Sequence, residues 1–308
     1  MRGVDLSVEI DGIRFPNPIL PASGTFGFGE EFSNIYDLNL LGGIVTKSLR
    51  ITYFPGNPQP RLYETPCGLL NSIGIPSEGY EYFKKHHLPF LNKLKIPKII
   101  SIAGNSISDY VSLIENLNKD EGIDVIELNV SCPNLEKNGK TFDSDKTVLT
   151  NTIKEILSIS SYPVFVKLSP NVNIIDNAVL SEELGASGVV IANTLLGMAI
   201  DIKEKRPVFK NVFAGFSGPC VKPQILRLVW QVAERVNIPV IASGGITNYK
   251  DALEFLLAGA TLLEIGTANF FNLYVMPEII EKLEDYLVDN NLERITQIIG
   301  FARKEKMP

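Results

Sequence analysis

Short apolar runs alternate along the chain with longer stretches in which apolar residues recur every three or four positions. The first pattern is that of a buried strand and the second that of an amphipathic helix, so the strand–helix order repeats from one end to the other. An opening pair stands outside the repeat: Leu6–Ile10, a turn at Asp11-Gly12, then Ile13–Phe15, a predicted β-hairpin. Eight strands follow, at Pro18–Pro21, Gly43–Lys47, Lys98–Ala103, Val125–Asn129, Val164–Leu168, Gly188–Asn193, Pro239–Ser243 and Leu262–Gly266. Helical spacing follows most of them, as in Ile107–Asn118, Asp145–Ile159 and Tyr249–Ala258. Eight strand–helix units with no low-complexity linker predict an α/β fold, a (β/α)8 TIM barrel with an N-terminal β-hairpin, as one domain over residues 1–308. A doubly wound open sheet is the alternative.

Two connections are too long for simple loops. One runs from Ser48 to about Ile75 and carries Pro55, Pro58, Pro60 and Pro66; the other runs from Leu195 to Gly218 and carries Lys203, Lys205, Arg206 and Lys210. Both follow strands, which places them at the C-terminal face, where barrel enzymes put their chemistry. Long loops in compact domains are usually lids or binding loops. The strand ends at that face are polar: Ala22-Ser23-Gly24, Lys47-Ser48, Ser101, Asn129, Lys167, Asn193-Thr194, Ser243-Gly244-Gly245 and Gly266-Thr267.

Composition narrows the chemistry. The net charge of −6 disfavours non-specific nucleic-acid binding. Three cysteines, Cys67, Cys132 and Cys220, lie far apart, so neither a disulfide framework nor a zinc site is expected. Three thiols also cannot ligate a four-cysteine iron–sulfur cluster within this chain. No signal-peptide or membrane-span pattern is evident, so the expected compartment is the cytoplasm. The two histidines, His86 and His87, close a helical pattern and read as a solvated helix end, which leaves cysteine, lysine or a carboxylate as the candidate base.

Gly244-Gly245 and Gly266-Thr267 each lie between a strand and a helix at the last two repeats, where barrels form phosphate sites. Gly218 is placed to complete that cradle, and Thr247 and Asn248 are possible helix caps. Lys47 and Lys167 are lysines inside apolar strands, costly to bury unless each meets an anion. Each could pair with a substrate carboxylate, support a reduced flavin, or form a Schiff base. Cys132 follows a buried strand, framed by Asn129 and Asn134; it is either a packed thiol or, once ionised, a base or nucleophile.

In order along the chain come Asn17-Pro18, Pro21-Ala22-Ser23-Gly24, Lys47-Ser48, Gly56-Asn57-Pro58-Gln59-Pro60-Arg61 and Asn71-Ser72-Ile73-Gly74. Then come Glu127-Leu128-Asn129-Val130-Ser131-Cys132-Pro133-Asn134, Val166-Lys167-Leu168-Ser169-Pro170, Asn193-Thr194 and the two glycine sites. This series resembles the class 1 dihydroorotate dehydrogenases over essentially the whole chain. Ala22 to Glu30 and Ser217-Gly218-Pro219 look like type 1B, the NAD-linked type. Ser101 departs: asparagine stands there in many 1B chains, and its segment looks more like the fumarate-reducing type 1A. The resemblance implies one non-covalent FMN per chain and a partner subunit carrying FAD and a 2Fe–2S cluster. It also implies a homodimer of this chain within a heterotetramer, with no nucleic acid and no membrane. By the same resemblance Cys132 takes a proton from C5 of dihydroorotate, and hydride passes from C6 to FMN. Lys47, Asn71, Ser72, Ile73, Gly74, Ile75, Asn129, Asn134, Asn193 and Thr194 would hold dihydroorotate or orotate. Ser23, Lys47, Ser48, Ser101, Asn129, Lys167, Ala192, Gly218, Gly244, Gly245, Gly266 and Thr267 would hold FMN, with Lys167 at the N1/O2 edge of its ring. A type 1A enzyme and, more remotely, a Schiff-base aldolase are the alternatives.

Overall fold

The computed structural model describes residues 3–131, 133–134 and 140–304. Val8–Ile10 and Ile13–Phe15 form the expected antiparallel hairpin about Asp11-Gly12, with Ile10 opposite Ile13. The hairpin buries Val8, Ile10 and Phe15 in the main core.

Eight parallel strands follow: strand one Ile19–Pro21, two Ile44–Val45, three Lys98–Ile102, four Val125–Asn129, five Val164–Leu168, six Gly188–Ile191, seven Val240–Ser243 and eight Leu262–Ile265. Their spatial order is one, eight, seven, six, five, four, three, two. The amide of Gly42, just before strand two, donates to Ile19 O at 2.9 Å and brings the last strand back to the first. A Cβ on Gly42 would overlap the Asn17 carbonyl oxygen, so this seam needs a glycine. The result is a (β/α)8 barrel. Every residue of strands four and five is buried, as expected for strands covered on both faces.

The helical periodicity resolves into Ile107–Leu117, Lys146–Ile159, Ile174–Glu183, Lys222–Ala233, Tyr249–Ala258 and Val275–Asp289. Ser106 and Asp109 form a capping box at the first of these, and Asp145 caps the second through the amides of Thr147 and Val148. The first repeat departs from the pattern: between strands one and two there are short 3₁₀ turns at Phe32–Asn34 and Leu38–Leu40. Strands two and six are shorter than their apolar runs: the Lys47 amide turns from strand three to Gly27 O, and regular pairing of strand six ends at Ile191, although the Ala192 and Asn193 amides still donate to Ser243 O and Leu168 O.

The two long connections, expected to be lids or binding loops, together build one antiparallel sheet. Leu62–Thr65 pairs with Gly68–Asn71, which pairs with Phe213–Ser217, which pairs with Leu195–Met198. Asn71 stands opposite Gly215. Beneath this sheet Leu70, Phe209 and Ala214 make a small second core. The lid is therefore joined by backbone hydrogen bonds, so the loop after strand two and the loop after strand six hold each other in place. Among the described residues, no helix is long and apolar enough to cross a membrane.

Candidate active site

The strand ends and the lid sheet enclose a cavity of about 320 Å³. One wall is backbone. Gly244-Gly245 leaves strand seven and Gly266-Thr267 leaves strand eight, and all four line the cavity with Gly218. Gly245 has φ +81°, and a Cβ there would sit 2.5 Å from the amide nitrogen of Lys222, the first residue of helix Lys222–Ala233. Only glycine lets the loop lie on that positive helix end. Among the described residues, the N–H groups of Gly244, Gly245 and Gly266 donate to no protein acceptor. Orphan amides beside a helix N-terminus are a ready anion site. Asp251 braces the loop, accepting from the Thr247 amide (2.9 Å) and hydroxyl (2.7 Å) and pairing with Lys222 at 2.8 Å. Asn248, not Thr247, caps the following helix, accepting from the amides of Lys250 and Asp251. Gly245→Ala is expected to destabilise the protein by about 1–3 kcal/mol, from the left-handed backbone and the overlap with Lys222. Urea denaturation checks this, and a fully stable variant would mean that the loop moves freely off the helix.

The floor of the cavity carries a buried ion cluster. Lys167 Nζ lies 2.5 Å from Glu264 Oε2, 3.2 Å from Glu127 Oε2 and 3.2 Å from Ser23 Oγ. An ammonium has three donors, and here all three have acceptors. Burial alone would drive the Lys167 pKa down, but the two glutamates outweigh it and push it up, so the lysine stays charged.

The third element is amide-rich. Asn129 ends strand four and Asn193 follows strand six, and Ser131 ties them together. Its hydroxyl donates to Asn129 Oδ1 at 2.7 Å and accepts from Asn193 Nδ2 at 2.6 Å. The Thr194 amide donates to Asn193 Oδ1 at 2.8 Å, and Asn71 Nδ2 donates to Gly215 O at 3.3 Å. Lys47 lines the same cavity. Among the described residues its ammonium has neither hydrogen bond nor ion pair. Burial lowers its pKa, with Glu78 and Glu31 acting against that and Arg61 adding to it. A half-buried cation without a fixed partner, beside oriented amides, suits a planar ligand with a carboxylate.

Of the residues singled out in the sequence, Ser23, Lys47, Ser48, Asn71, Ile73, Gly74, Ile75, Asn129, Lys167, Ala192, Asn193, Thr194, Gly218 and the glycine-loop residues line this one cavity. Ser72 and Ser101 do not. Ser72 accepts from Asn57 Nδ2 at 3.1 Å and so ties the lid. Ser101 is fully buried behind the wall, 2.8 Å from the Ser48 hydroxyl. Cys132 lies outside the described residues, as does the side chain of Asn134. His86 is exposed as expected, but His87 is not a solvated helix end. It sits within the continuous helical segment Tyr80–Leu91, stacks on Phe28 with ring centroids 4.0 Å apart and pairs with Glu30 at 3.1 Å.

Sequence reasoning missed Glu127, Glu264 and Ser131 as parts of the site. The signal for the glutamates was the one used for the lysines, a charge inside an apolar strand: Val125-Ile126-Glu127-Leu128 and Leu262-Leu263-Glu264-Ile265. It also missed Arg50, whose Nε donates to Ile75 O at 3.1 Å and Nη1 to Asn105 Oδ1 at 2.8 Å, fixing the lid segment that borders the cavity.

The family model for dihydroorotate dehydrogenase matches residues 5–287. A protein of Desulforamulus reducens named "Dihydroorotate dehydrogenase B (NAD(+)), catalytic subunit" is 46% identical over 300 residues, 97% of this chain and 99% of its own. Proteins of the same name from Thermoanaerobacter sp. (strain X514) and Bacteroides fragilis are 47% and 44% identical, covering 97% and 96% of this chain and 99% and 98% of their own. With the family model spanning most of the barrel and these relatives covering nearly the full length of both chains, the chain belongs to the dihydroorotate dehydrogenase family.

Proposed function

We propose that this chain oxidises (S)-dihydroorotate to orotate in pyrimidine biosynthesis, as the catalytic subunit of an NAD-linked, flavin-dependent enzyme. One observation carries the reading: a single cavity is lined by an anion cradle at strands seven and eight, by an amide set, and by Lys47, which has no ion-pair partner among the described residues. The donor set fits FMN. Gly218, Gly244, Gly245, Gly266 and Thr267 would hold its phosphate, and Ser23, Ser48, Asn129, Ala192 and Lys167 would border its ring. When bound, FMN supplies the acceptor for the hydride from C6. Lys167 would present charge rather than a spare donor, because its three N–H groups are already taken.

The substrate would lie between Lys47 and the Asn71, Asn129, Asn193 and Thr194 set, with the lid at Ile73–Ile75 closing out water. Asn134 would add an amide to that set. Ser131 would keep Asn129 and Asn193 in one orientation, so that the pyrimidine carbonyls and N–H groups meet fixed partners. Cys132, next along the chain, would take the C5 proton. Lys47→Ala is expected to weaken orotate binding by about 10–100-fold, the worth of one charge-assisted hydrogen bond. Titration of the flavin spectrum with orotate measures it, and an unchanged affinity would remove Lys47 from the substrate site. A Schiff-base role does not suit Lys167, since its partners hold it protonated and a nucleophilic amine must be neutral.

The name of these relatives, a catalytic subunit, implies a second subunit. We take that subunit to carry the FAD and the 2Fe–2S cluster. The barrel would bind both flavin and substrate as one domain and assemble as a homodimer within a heterotetramer, in the cytoplasm. Phe270 lines the cavity and runs on into exposed Phe271, Leu273 and Tyr274, an apolar patch where the cavity reaches the surface and a partner could dock. The experiment is to purify the chain with and without that subunit and to follow NAD reduction by dihydroorotate. NAD reduction is expected only for the complex. Reduction by the isolated chain would refute the need for a partner, and efficient fumarate reduction by it would move the protein to type 1A.

A further inference from the structure

Strands four, five and eight bring Glu127, Lys167 and Glu264 together beneath the cavity, with Glu127 and Glu264 at 0% and 1% exposure. Two carboxyl groups share one ammonium, both through Oε2, at 3.2 and 2.5 Å. Among the described residues Glu127 Oε1 is buried without a formed hydrogen bond, and the Ser101 hydroxyl on strand three is the neutral neighbour that favours the charged form of Glu127. If both glutamates were ionised the site would hold one uncompensated negative charge out of reach of water. Such a group neutralises itself instead. Among the described residues, Glu127 and Lys167 are the titratable side chains acting on Glu264, and strand one adds only the neutral Ser23 hydroxyl to the cluster.

We propose that Glu127 and Glu264 share a single proton, making the trio with Lys167 neutral, and that the two glutamates act as positioning residues that clamp Lys167 Nζ at the cavity floor. Burial and the neighbouring Glu127 carboxylate both push Glu264 up, while Lys167 holds Glu127 down against its own burial. The pair titrates as a unit, so the proton belongs to both. This account also explains why a lysine with every donor satisfied still faces the pocket: the protein fixes its place, and the ligand meets its charge. The role of Lys167 toward a flavin rests on the functional reading above; the shared proton does not.

The sign follows from linkage. The folded state binds one more proton than the unfolded state at pH values above the ordinary glutamate pKa and below the raised value of the pair. Stability therefore falls as pH rises through that window, by about tenfold in the folding equilibrium per pH unit. Removing either carboxyl removes the extra proton. Glu264→Gln and Glu127→Gln each leave one carboxylate for one ammonium, whereas the double variant leaves Lys167 unpaired.

The test uses the purified holoprotein and three readouts: the infrared band of a protonated carboxyl, urea denaturation from pH 5 to 7, and FMN affinity. Each single variant should lose the wild-type carboxyl band and the tenfold-per-unit slope relative to the parent, and the double variant, which frees Lys167 Nζ from its clamp, should bind FMN about tenfold or more weakly than the parent. The double variant should lose about a hundredfold or more in the folding equilibrium, as expected for a buried charge without a partner. Two results would each overturn the proposal: single variants that keep the band and the slope, or single and double variants of equal stability. The band and the slope belong to the protein alone. Their failure would refute the shared proton even in a flavin-binding protein, and a protein without flavin would leave them intact.

Discussion

Replacing Cys132 by alanine is expected to leave fold and flavin in place and to slow dihydroorotate oxidation by about 10²–10⁴-fold, the usual cost of losing a positioned base. The candidates for that base are few. His86 is exposed, and His87 is engaged by Phe28 and Glu30 in a neighbouring pocket that shares Gly27, Lys47 and Ser48 with the main cavity but does not include Asn129 or Asn193. Lys167 is held as an ammonium, and Glu127 and Glu264 point at it from beneath the cavity. Cys132 directly follows Ser131, which ties Asn129 and Asn193 together in the amide-rich part of the cavity. A thiol there can take a proton once ionised, and a hydroxyl is a poorer base, so Cys132→Ser should recover part of the rate as pH rises. Stopped-flow measurement of flavin reduction by dihydroorotate separates this step from reoxidation. A Cys132→Ala variant that reduces its flavin at the parent rate would take the residue out of the chemistry.

Lys167→Met should have the largest effect on stability of any single replacement in the site. It removes the one cation that Glu127 and Glu264 share and leaves two carboxyl groups facing each other without water. Breaking a buried ion pair from one side costs about 3–5 kcal/mol, because the remaining charge has no compensation. The cost should grow with pH: at low pH both carboxyls can be protonated, while at neutral pH keeping them so works against the solution. Urea midpoints of parent and variant at pH 5 and pH 7 test this. Equal stability at both pH values would show that the cluster carries no net electrostatic weight.

The barrel was legible because each strand is a run of buried apolar residues and each helix repeats its apolar face; Val125–Asn129 and Val164–Leu168 fall where their runs place them. The first repeat was harder, since no helical period lies between strands one and two and only short turns form there. The joined lid could not be read at all. Pairing of Gly68–Asn71 with Phe213–Ser217 links segments far apart in the chain, and neither strand shows its partner in its own pattern. The cavity lining was largely legible, because glycine pairs and polar strand ends stand out against apolar runs. Ser72 and Ser101 show the limit: a polar residue next to the site in sequence can turn its side chain to the lid or behind the wall. The two glutamates were visible in the sequence but were not paired with Lys167, since pairing across strands four, five and eight needs the closed order of the sheet.

The most direct measurement is an anaerobic titration of the purified chain with dihydroorotate, following the visible flavin spectrum and assaying orotate. The account predicts a yellow protein that releases FMN on heat denaturation, bleaches on addition of dihydroorotate and forms one orotate for each flavin reduced. A colourless protein, or a flavin that stays oxidised in excess dihydroorotate, would contradict it.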